Sequence, residues 1–146
     1  MQVMWVTNPV KYHKPVVYYG TYPTKMNKKV YAISKTYDKG HIGFHGLIYK
    51  AIMIDLEPNK RYYYKVGDDD SYTFSEIKYF KSPPKKNVTL PEINIAVFGD
   101  MGTFAPFGSM VMNQISRNNF KKPYDFVFLT GDIAYAGVSS ESKGEI

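Results

Sequence analysis

With 146 residues and a hydrophobic share of 44%, the chain can build one domain, or a small domain and part of another, and is too apolar for disorder. Seventeen of the 19 basic residues are scattered lysines, so the net charge of +6 describes a solvated surface and argues against a nucleic-acid partner, whose readers lean on arginine. The absence of cysteine excludes disulfides and thiolate metal sites, and no apolar run approaches the ~20 residues of a membrane helix.

The chain opens on Met1-Gln2-Val3-Met4-Trp5-Val6, which lacks the cationic start and apolar stretch of a signal peptide and reads as a strand entered partway along. Val3 to Thr7, Pro15 to Tyr19, Val30 to Thr36, Leu47 to Leu56 and Arg61 to Val66 are rich in β-branched and aromatic residues and are separated by Gly, Pro, Asn and Asp. Turn signals at this spacing predict an all-β sandwich or barrel over residues 1–84. Leu56-Glu57-Pro58-Asn59-Lys60-Arg61-Tyr62 has the Leu-x-Pro-x-x-x-Tyr form of a tyrosine corner, and Trp5 is placed as a core tryptophan on an early strand. Together these features resemble a fibronectin type III domain without its first strand, and on that ground residues 1–84 are expected to fold poorly alone. Asp68-Asp69-Asp70 reads as an exposed hairpin tip. His13, His41 and His45 read as loop or strand-face residues, because Gly40, Gly43 and Gly46 oppose a metal-binding helix around the last two.

Ser82-Pro83-Pro84-Lys85-Lys86-Asn87 is stiffened by proline and wetted by lysine, and residues 85–91 form the expected linker. Asn87-Val88-Thr89 is a glycosylation sequon, a hint of a secretory route. Beyond the linker the pattern changes. Ile93 to Phe98 is a continuous apolar run, Gly108 to Asn118 has helical spacing, with Met110 and Met112 as core or helix residues, and Asp125 to Thr130 is a second apolar run. Residues 92–146 are therefore expected to begin an α/β domain with a βαβ unit, parallel strands and a right-handed crossover. One such unit cannot cover both faces of a parallel sheet, so this half is expected to be mobile or aggregation-prone.

Each buried run ends in Gly-Asp: Phe98-Gly99-Asp100-Met101-Gly102 and Thr130-Gly131-Asp132-Ile133-Ala134-Tyr135. Ligands of open parallel sheets bind outside the carboxyl ends of the strands, where two such aspartates can converge. Two carboxylates held close repel each other, and a bound cation relieves the repulsion. Oxygen donors favour hard ions, and Tyr135 adds a phenolate if a strongly charged metal lowers its pKa. Ordinary turn chemistry is the alternative reading of each Gly-Asp taken singly.

Gly-Asp-x-Gly followed by Gly-Asp-x-x-Tyr, behind a fibronectin-like domain, resembles the first two of the five metal motifs of purple acid phosphatases. Val17-Tyr18-Tyr19-Gly20-Thr21, Tyr62-Tyr63-Tyr64-Lys65-Val66-Gly67 and Gly131-Asp132-Ile133-Ala134-Tyr135-Ala136 have the look of that family's plant type. The resemblance implies a fibronectin III-like sandwich followed by the start of a calcineurin-like metallophosphoesterase domain, cut off before its remaining Asn and His ligands. It implies Fe(3+) bound by Asp100 and Tyr135, a bridging Asp132, and a second divalent metal, Zn, Mn or Fe(2+). It further implies hydrolysis of phosphate monoesters by the complete enzyme, scope for a homodimer, and a secreted, lysosomal or vacuolar location. The fragment alone is expected to be inactive. Two rivals stand beside this reading: a fibronectin-like binding module with a degenerate catalytic remnant, and another metallophosphoesterase such as a diesterase or nucleotidase.

Overall fold

A computed structural model describes residues 1–7, 12–36, 46–89, 92–100 and 107–131. The chain divides into two compact units, Met1–Val88 and Thr89–Ile146.

The first unit is built from strands β1 (Gln2–Thr7), β2 (Pro15–Gly20), β3 (Lys28–Tyr31), β4 (Ile33–Thr36), β5 (Leu47–Ile52), β6 (Arg61–Asp68), β7 (Thr73–Phe74) and β8 (Lys78–Lys81). One sheet has the order β1-β5-β4 and the other the order β3-β2-β6-β7, all pairs antiparallel. β8 joins the same edge of β6 as β7, one stretch further along. Between them the ladder is interrupted: the Ser75 N–H donates to Val66 O (2.8 Å) and the Val66 N–H donates to Ser75 Oγ (3.1 Å).

Strand alternation puts one row of each sheet inside. Val17 and Tyr19 of β2, Tyr62 of β6, and Ala51 and Met53 from the other sheet form the core, with Trp5, Val30, Tyr64, Val66 and Phe80 packed on it. Fully burying such a side chain contributes about 2–3 kcal/mol, so these few residues dominate the stability of the unit. Trp5 stacks on Tyr49 (5.3 Å between centroids) and Tyr12 stacks on the same ring (5.4 Å). The indole Nε1 of Trp5 is buried without a hydrogen-bond partner among the described residues.

Tyr62 makes the expected corner. Its buried hydroxyl accepts the Glu57 N–H at 2.9 Å, while Asn59 takes a left-handed φ of 58° and its N–H donates to Pro83 O at 2.9 Å. Ser82, also buried, accepts the Lys60 N–H at 2.9 Å and donates to Glu57 O at 2.5 Å.

Three expectations need correction, and two strands had not been expected. The run from Val30 to Thr36 breaks at Ala32, because β3 pairs with β2 in one sheet and β4 with β5 in the other. The run from Leu47 ends as a strand at Ile52, before the left-handed φ of 51° at Asp55. Edge strands β7 and β8 pair through stretches too short to show a period-two pattern of their own. Asp68 is not exposed but 1% accessible: Oδ1 accepts the Lys14 N–H (2.6 Å) and Oδ2 the Ser71 N–H (2.9 Å). Asp69 accepts the hydroxyl of Tyr18 at 2.7 Å and pairs with Lys29 at 3.2 Å. His13 is exposed, while His41 and His45 lie outside the described residues.

The second unit contains β9 (Ile95–Phe98), α1 (Phe107–Lys121) and β10 (Phe126–Leu129), with β9 and β10 parallel. Met110 and Met112 lie on α1 but are exposed, at 60% and 43%, and so are not core residues. Among the described residues no helix is long and apolar enough to cross a membrane.

Burial pushes the Asp68 carboxyl up, but the backbone donors Ser71 and Lys14 outweigh it and hold the group below its ordinary 3.8. Asp69 is lowered as well, first by the Tyr18 hydroxyl. A depressed folded-state value stabilises the fold above the ordinary carboxyl range, and that contribution is lost as pH falls below it. Asp68→Asn is therefore expected to flatten the loss of stability below about pH 4, as read by urea unfolding followed through Trp5, the single tryptophan. In the same assay at neutral pH, Tyr62→Phe strands the Glu57 N–H and is expected to cost about 1–3 kcal/mol.

Candidate metal centre

The parallel pairing of β9 and β10 sets their carboxyl ends level. Phe98 lies opposite Leu129, and the Thr130 N–H continues the ladder to Phe98 O at 2.8 Å. The next step brings the two Gly-Asp segments together, because the Asp100 N–H donates to Gly131 O at 3.3 Å. Asp100 is exposed at this end and takes a left-handed φ of 50°, turning the chain out of the strand. A short polar side chain tolerates that conformation better than most.

Both glycines have steric work here. A Cβ on Gly99 would stand 2.6 Å from Thr130 Oγ1, so the strands approach this closely only without a side chain. Gly131 has a φ of 144°, which L side chains rarely adopt, although nothing lies within 4 Å of its missing Cβ. Thr130 Oγ1 donates to Phe98 O at 3.2 Å and further ties the two ends.

The amino ends are fixed by residues that sequence reading missed. The Asn94 N–H donates to Asp125 Oδ2 (2.9 Å), the Asp125 N–H returns to Asn94 O (2.8 Å), and Asn94 Nδ2 reaches Lys122 O and Pro123 O. Lys122 also pairs with Glu92. This clamp joins the end of α1 to both strands and holds their register. Asn94 sits one residue before β9 and carries no periodic signal that would have revealed it.

Asp100 is thus described, whereas Asp132 and Tyr135 lie outside the described residues. Among the described residues no group of three or more His, Cys, Asp or Glu side chains that could hold a metal ion comes together. The described member of the expected set, Asp100, is an oxygen donor of the kind that suits a hard cation and stands at the carboxyl ends of two parallel strands. Asn87 is exposed, with a φ of 66°.

A family model described as "Purple acid Phosphatase, N-terminal domain" matches residues 1–82. Probable purple acid phosphatase 20 of Arabidopsis thaliana is 33% identical over 139 residues, covering 94% of this chain and 29% of that protein. Purple acid phosphatase 21 of the same organism is 31% identical over 137 residues, or 93% and 28% of the two chains. Probable inactive purple acid phosphatase 1, also from Arabidopsis thaliana, is 32% identical over 103 residues, 62% of this chain and 17% of that protein. The chain spans less than a third of the length of these relatives.

Gly99→Ala is expected to loosen the strand ends, seen as faster amide exchange at Thr130 and Asp100. Removing the clashing hydroxyl with Thr130→Ala in the same chain should restore slow exchange at Asp100. Slow exchange in Gly99→Ala alone would show that Thr130 gives way without cost.

Proposed function

The chain belongs to the purple acid phosphatase family, and on that premise we propose that its second unit opens the metallophosphoesterase domain of a phosphate monoester hydrolase. The observation that carries this reading is the meeting of the two Gly-Asp strand ends through the Asp100 N–H and Gly131 O. Asp132 is bonded directly to Gly131, and Tyr135 follows three residues later. Asp100 and Tyr135 would hold a ferric ion, and Asp132 would bridge it to a zinc, manganese or ferrous ion. When bound, such a pair supplies hydroxide at neutral or acid pH and stabilises the attacking and leaving oxygens of an in-line displacement.

The residues of this chain do the holding and orienting. Gly99 lets the two strand ends approach closely, and the left-handed φ at Asp100 turns the chain out of the strand. The Asn94 and Asp125 clamp holds the amino ends of the two strands in register, and the two aspartates stand 32 positions apart in sequence. The two motifs present here supply only part of the ligand set that such a centre needs. The reading carries a secretory, lysosomal or vacuolar location, with exposed Asn87 as the glycan acceptor.

A second reading rests on the match to a relative named as inactive. In it the first unit, with its own core, is a binding module and the second a catalytic remnant.

The test is made on the full-length gene product with p-nitrophenyl phosphate. Asp132→Asn and Asp100→Asn should each lower kcat/KM by about a hundredfold or more and reduce bound metal. Tyr135→Phe should abolish visible charge-transfer absorption while metal is retained. Metal-free protein with no hydrolysis in the unmutated form would favour the binding module, and hydrolysis with an unchanged Tyr135→Phe spectrum would favour a different metallophosphoesterase.

A further inference from the structure

The face of the five-stranded sheet that turns away from the core has a composition that its own packing does not use up. The cross-strand register places Lys29, Tyr18 and Lys65 in one row, with Tyr63 beside Tyr79 and Arg61 beside Lys81 further along. Lys65 Nζ lies 4.0 Å from the centroid of Phe74 and 5.6 Å from that of Tyr18. Lys29 lies over Tyr18 and Tyr31, and the Arg61 guanidinium is 5.0 Å from the Tyr79 centroid. The register puts four basic residues on this face, Lys29, Arg61, Lys65 and Lys81, and the one acid of the five strands is the buried Asp68. Lys29 is neutralised by Asp69. Arg61, Lys65 and Lys81 have no carboxylate partner among the described residues.

At one end of this face lies a groove of about 350 Å³, lined by Tyr18, Lys65, Asp69, Tyr72, Phe74 and Thr24 among others. Its volume falls in the range of small-ligand sites. Tyr72 is 82% exposed at its rim, an unusual position for a large aromatic ring, and sits at a left-handed φ of 53°. The groove therefore offers an open ring, hydroxyls, a carboxylate and a cation held in place by two rings.

We infer that this groove and the cationic strip beyond it bind an acidic carbohydrate chain, a run of sugar rings bearing carboxylates. The C–H face of a sugar suits the electron-rich face of Tyr72. Neighbouring ring hydroxyls suit Asp69 and Thr24, and successive carboxylates suit Lys65, Arg61 and Lys81. Single-stranded nucleic acid fits less well, because it needs open ring faces for its bases. Here Lys65 lies over the faces of Tyr18 and Phe74. The inference concerns the first unit alone and is independent of the phosphatase reading.

The test is titration of the whole chain with oligogalacturonate at low salt, alongside a neutral glucan and poly(U). Binding of the acidic sugar alone is expected, weakening as salt rises. Lys65→Gln and Tyr72→Asn should each reduce affinity about tenfold, with near-ultraviolet circular dichroism unchanged. Asparagine suits the left-handed backbone at position 72, so this variant still decides the matter if Lys65→Gln fails to fold. Lys85→Gln with Lys86→Gln, outside the groove, should bind as the parent does. No binding, equal or tighter binding of poly(U), or an affinity indifferent to Tyr72→Asn would each overturn the inference.

Discussion

The first unit hangs on the turn from Glu57 to Lys60, where a tyrosine hydroxyl inside the core accepts a backbone N–H from the loop that precedes its own strand. That bond fixes where β6 begins. β6 in turn pairs with β2, β7 and β8, so its position sets the register of the whole larger sheet. Ser82 and Pro83 return from the far end of β8 to satisfy the Lys60 and Asn59 N–H groups of the same turn. Buried polar groups of this kind are costly when unmet and modest in net value when met, so their effect is chiefly to specify one arrangement. The carboxylate of Asp68 does the same at the opposite end of β6, hooking the β6–β7 turn onto the residue before β2.

The second unit is organised differently. Its two parallel strands are held at their amino ends by Asn94 and Asp125 and at their carboxyl ends by Thr130 and the Asp100 N–H. Between these ties, Val97, Val127 and Phe128 are more than half exposed. Polar ties rather than burial hold the described part of this unit in register. The strand ends that carry Gly-Asp are nevertheless level, which is the geometric condition for two distant carboxylates to serve one cation.

The two units also differ in how their charges are used. In the first, lysines lie over aromatic rings on an outward sheet face, which gives their ammonium groups defined positions. In the second, the described ion pair Lys122–Glu92 is exposed at the surface and contributes little by itself. A basic excess can thus be a solvated surface in one region and an ordered array in another, a distinction that net charge does not make.

Period-two alternation and turn residues located β1, β2 and β6, and the Leu-x-Pro-x-x-x-Tyr spacing identified Tyr62, because these signals are local and a strand or corner satisfies them within a few residues. The two apolar runs ending in Gly-Asp marked Asp100 and the strand ends for the same reason, while Asp132 and Tyr135 are known from sequence alone. The break at Ala32, the short strands β7 and β8, the burial of Asp68 and the Asn94 clamp were decided by tertiary structure. Each depends on a partner outside its own segment: β5 for β4, β6 for β7 and β8, Lys14 for Asp68, Lys122 and Asp125 for Asn94. A side chain's own pattern reports which way it alternates, but whether a carboxylate is exposed or buried is settled only by the donors that folding brings to it.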